Sequence, residues 1–167
     1  MADAAVARAR LAEASAAILT GVERTLPAWV EQRVAFIADA WGRLDPTTRA
    51  ALDARAADAA TAATARVTGA LRDLFATDAA NQRTTPLEIV RSAAREVTAV
   101  LADVGIPPVE RDAFAERAFP DDVYGVTPAT LADLGDEDLG PLQLAWGLAK
   151  TQVLRADRAL PGDDAPA

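Results

Sequence analysis

Half of the hydrophobic residues in this chain are alanine, 42 of 85. At about 25 cal/mol per Å² of buried apolar surface, a methyl group adds far less to a core than an isobutyl group does. What alanine does supply is helix propensity, the highest of any residue. The chain must therefore collect its 43 larger apolar side chains, 17 Leu and 13 Val among them, along the stripes of helices. Strand signals are absent. The pattern predicts an all-α fold, a single six- to seven-helix bundle over residues 1–160 with a long Ala-rich third helix and a Pro-punctuated C-terminal half.

Proline and glycine set the expected boundaries. A first helix is predicted from about Asp3 to Thr20, with Ala7, Leu11, Ala14 and Ile18 on one stripe and Gly21 just past its end. A second follows Pro27 and carries Val30, Val34, Ile37, Trp41 and Leu44 at spacings of 4, 3, 4 and 3, an a/d-type seam. Asp45-Pro46 reads as an N-cap and first helical residue, opening a third helix to about Ala76. Its stripe of Leu52, Ala56, Ala59, Ala63, Val67, Ala70 and Leu74 offers only methyl groups in the middle. Either a partner helix approaches closely there or the helix is weakly packed, and an intermolecular neighbour is one way to supply the partner.

Residues 77–84 are polar and read as a loop, with a possible subdivision of the domain there. Thr85-Pro86-Leu87-Glu88 is a capping box, opening a helix with Leu87, Val90, Ala94, Val97, Leu101 and Val104 on one side. Gly105-Ile106-Pro107-Pro108 ends it and starts a helix running to about Phe119. After a loop, Thr127-Pro128 caps a short helix ending near Gly135. The last helix begins at Asp136 or Pro141. Leu139, Leu142, Trp146, Ala149 and Val153 form its stripe, and Leu144, Ala145 and Leu148 widen the apolar surface, which predicts a central position. Trp29, Trp41 and Trp146 read as core anchors. Gly147, inside this helix, costs up to about 1 kcal/mol relative to Ala, so a tight helix crossing is expected at that point. From Pro161 the tail is expected to be disordered, leaving 161–167 outside the domain.

The formal net charge is −8, and all of the excess lies late in the sequence. Residues 1–100 hold 12 acidic and 12 basic side chains, whereas residues 101–167 hold 13 acidic and 5 basic. An acidic chain is a poor match for a polyanion. The helix after the corner at Gly105 carries Glu110, Asp112 and Glu116 against Arg111 and Arg117, which is wrong for DNA phosphates, so no nucleic acid is expected as partner. The N-terminus shows no secretory pattern and the uncharged run Leu139 to Ala149 is too short to span a bilayer, so no membrane partner and a cytoplasmic location are expected.

Without His or Cys the chain holds no Ser-His-Asp or Cys-His constellation, no zinc site of the usual kind and no disulfide. Gly147-Leu148-Ala149-Lys150-Thr151 looks superficially like the end of a phosphate loop, but the second glycine is missing and the segment is helical. Lys150 is therefore read as solvated or paired with an Asp. Asp136-Glu137-Asp138 does not open an EF-hand, because Gly140, Pro141 and Gly147 fall where a ligand, a glycine and a glutamate are required. These acids read instead as charges favoured at a helix N-terminus. No catalytic residue, cofactor or metal site is assigned.

The most distinctive surface candidate is the stretch from Glu110 to Gly125. Arg111, Glu116, Arg117, Asp121, Asp122 and Tyr124, together with Trp146, form a candidate interaction or ligand surface. The same charges read more simply as a salt-bridged corner. The leading expectation is a non-enzymatic helical protein that acts through protein contacts, as adaptor, regulator or homo-oligomer. The alternative is a small-ligand or divalent-metal protein, or an enzyme, using the acidic loop at 116–124, where Glu116 with Asp121 or Asp122 supplies paired carboxylates for an oxygen-preferring cation such as Mg²⁺.

Overall fold

The structure is a computed structural model that describes residues 2–107 and 139–159. Every regular element among these residues is a helix: α1 (Ala2–Trp41), α2 (Pro46–Ala76), α3 (Pro86–Arg91), α4 (Ala94–Asp103) and α5 (Leu139–Ala159). The all-α class holds among them. The count of six to seven helices is not supported, and the helices expected after Pro108 and after Thr127 lie outside the described residues, as does the tail from 161.

The two helices expected on either side of Gly21 and Pro27 are one helix of 40 residues, roughly 60 Å long at 1.5 Å per residue. An interior proline forfeits a backbone hydrogen bond and costs about 3 kcal/mol. Ile18, Val22, Leu26 and Val30 are all fully buried at successive i+4 positions through this region. Burying four such side chains contributes roughly 1.5–3 kcal/mol each, which outweighs the proline. Gly21 is not a terminator but a position packed beside α5, where a Cβ would stand at ordinary contact distance, 3.7 Å from Leu142 Cδ1. The α1 helix ends instead at Gly42, whose φ of +148° suits glycine.

Trp41 departs from the expected seam and is 57% exposed. It sits in the last turn of α1, where the chain is already reversing towards α2, and the first buried side chain of α2 is Leu52, almost two turns into that helix. The N-cap of α2 forms as read: Asp45 Oδ1 accepts from the backbone N–H groups of Thr47 and Thr48, both at 3.0 Å, and Thr48 Oγ1 donates to Asp45 Oδ2 at 2.5 Å.

Two ion pairs show that α2 runs antiparallel to the C-terminal part of α1, Arg49 with Asp39 and Arg72 with Glu23. Arg66 with Glu96 and Arg55 with Asp103 (3.3 Å) set α4 antiparallel to α2. Between them the methyl groups of Ala56, Ala60 and Ala63 are buried to 4%, 1% and 0% exposure, in one core with Val30, Val34, Val97 and Leu101. The partners of the Ala-rich stripe are thus helices of the same chain, and no intermolecular neighbour is needed there.

The capping box at Thr85 is present, with Thr85 N donating to Glu88 Oε2 at 2.6 Å and Glu88 N to Thr85 Oγ1 at 3.4 Å. The single helix expected from it is broken at Ser92–Ala93 into α3 and α4. Arg66 spans the break: its Nη2 donates to the Ser92 carbonyl at 2.9 Å, while the same guanidinium pairs with Glu96 in the first turn of α4. A Schellman turn closes α4. Gly105 has φ +79°, its N–H donates to Ala102 O at 3.0 Å, and Ile106 N donates to Leu101 O at 3.0 Å.

The last helix, α5, lies antiparallel to the N-terminal half of α1, fixed by Arg8 with Asp157 at one end and Leu142 beside Gly21 at the other. Among the described residues it lies at the edge of the helices, not at the centre that its composition suggests. The central element is α1, which packs α2 and α4 along its later turns and α5 along its earlier ones. Among the described residues no helix is long and apolar enough to cross a membrane.

Candidate functional site

Of the residues singled out from sequence, Arg111, Glu116, Arg117, Asp121, Asp122 and Tyr124 lie outside the described residues, as do Asp136, Glu137 and Asp138. Trp146 is described and belongs to the core. It is 3% exposed, with its ring centroid 6.3 Å from that of Phe75. Among the described residues no three His, Cys, Asp or Glu side chains come together in a way that could hold a metal ion.

Lys150, the one lysine of the chain, is half-buried, and among the described residues its partner is a backbone carbonyl rather than an Asp. Its ammonium donates to the backbone carbonyl of Gln82 at 2.7 Å and lies 5.2 Å from the centroid of the Trp146 ring. Gln82 is itself buried, and its Nε2 donates to Leu74 O at 3.2 Å and Thr77 O at 3.0 Å, closing the C-terminal end of α2. In the same loop Ala79 packs with Ala7 and Val153. One side of α5 is thereby committed: Trp146, Ala149, Lys150 and Val153 all serve the packing of α1 and of the loop after α2.

Among the described residues the other side of α5 is open. Leu144 and Leu148, one helical turn apart, are 66% and 58% exposed. Leu148 follows Trp146 by two residues, roughly 200° of helix rotation, so it faces away from the core when Trp146 faces in. Beside Leu148 a groove of about 400 Å³ runs between α5 and α1, floored by Ala14, Ala17, Ala145 and Ala149. Arg10 and Glu13 stand on its α1 side and Gln152 on its α5 side. The seam continues towards the start of α1 as a second groove of about 540 Å³, where Val6 is 51% exposed. Alanine floors this channel because α1 and α5 both carry methyl groups where they face one another.

Gly147 adjoins this face without the tight crossing expected of it, since a Cβ there would meet nothing within 4 Å. The excess apolar width of α5 is visible in its sequence, where it reads as burial on all sides. The signal that would have separated the two sides is that Leu144 and Leu148 fall opposite the stripe of Leu139, Trp146 and Val153. At the far end of α1, Phe36 is 64% exposed, with the Arg33 guanidinium 5.3 Å from its ring centroid.

Comparison with protein-family models, with curated proteins and with solved structures finds no match for this chain.

Proposed function

We propose that this protein works by binding another protein chain through the open face of α5 and the first half of α1, as a helical interaction protein without a catalytic role. The observation that carries the reading is the pair Leu144 and Leu148, two-thirds and more than half exposed one helical turn apart, with Leu148 lining an alanine-rich groove. Singly exposed leucines are ordinary on protein surfaces. A contiguous apolar ridge beside an apolar groove marks a contact surface, because leaving both in water forgoes roughly 25 cal/mol per Å² that a partner would recover.

The test is site-specific photocrosslinking in cells from Leu148, with Ala62, on the exposed side of α2, as the control position. Covalent capture of one discrete protein from position 148 and not from position 62 supports the reading. Equal capture from both positions, or none from either, refutes it.

A further inference from the structure

We draw no further inference here: the strongest candidate, the groove between α1 and the end of α2 that Leu11, Leu19 and Phe75 line together with Arg8 and Arg72, carries nothing, because both arginines are already ion-paired, with Asp157 and Glu23, and nothing in the structure shows what covers its apolar floor.

Discussion

The Lys150 ammonium reaches across from α5 to the backbone carbonyl of Gln82, 2.7 Å away, and so joins the loop after α2 to the last helix. Gln82 in turn bonds the end of α2 through its side chain, making the loop a cross-brace between elements distant in sequence.

A charge-assisted hydrogen bond of this kind contributes roughly 1.5–3 kcal/mol. Lys150→Met keeps an unbranched apolar chain and removes the ammonium, both as donor to Gln82 and as the cation over the Trp146 ring. It is expected to lower the melting temperature by roughly 5 °C, at about 2–4 °C per kcal/mol for a domain of this size. An unchanged melting temperature would mean that the brace carries no load.

Ala63 is fully buried between α1, α2 and α4, whereas Ala62 beside it is exposed. Ala63→Leu forces a side chain into a filled space and is expected to cost at least about 1–3 kcal/mol, read from the urea midpoint. Ala62→Leu is expected to change stability by less than about 0.5 kcal/mol. Similar midpoints for the two variants would contradict the tight alanine core.

The glycines divide by conformation. Gly69 and Gly147 sit in helices where a Cβ would meet nothing within 4 Å, so Gly69→Ala and Gly147→Ala are each expected to stabilise by roughly 0.5–1 kcal/mol. Gly105, at φ +79°, closes the Schellman turn, and Gly105→Ala is expected to destabilise by about 1 kcal/mol. In thermal melts the first two variants should therefore move up and the third down.

Asp45 gives the fold an acid-sensitive cap. The Thr48 hydroxyl first, and then the Thr48 backbone N–H, hold its carboxyl below the usual carboxylate value. A depressed folded-state pKa contributes stability that is fully present above the unfolded value, about 3.9, and is lost as pH falls through the folded value. Asp45→Asn keeps a capping oxygen and does not titrate. The melting temperature of the unmodified chain minus that of Asp45→Asn is expected to be constant near neutrality and to shrink below about pH 4. A difference that grows on acidification would reverse the assignment.

The caps at Asp45 and Thr85 are legible in the sequence because a cap is decided by contacts within four residues. The fate of Gly21 and Pro27 is not. Their local preference is to end a helix, and what overrides it is the burial of Ile18, Val22, Leu26 and Val30 against elements far away in the chain. The same limit explains Trp41, whose spacing fits the seam but which stands exposed at the helix end, and α5, whose helical spacing divides its apolar residues into two sides while the position of α1 decides which of them is buried. The break at Ser92 is spanned by Arg66, twenty-six positions earlier, and no local pattern announces it. As to the candidate site, sequence patterns point to the stretch around Asp121, while the face on α5 uses leucines that carry no motif.

Because α1 runs unbroken through Pro27, it acts as a strut. Phe36 and Ala17 are nineteen positions apart on it, which fixes the aromatic tip at roughly 28 Å along the axis from the α5 groove. Whatever occupies the groove is therefore held at a set distance from that tip, as between the jaws of a fixed-gauge caliper.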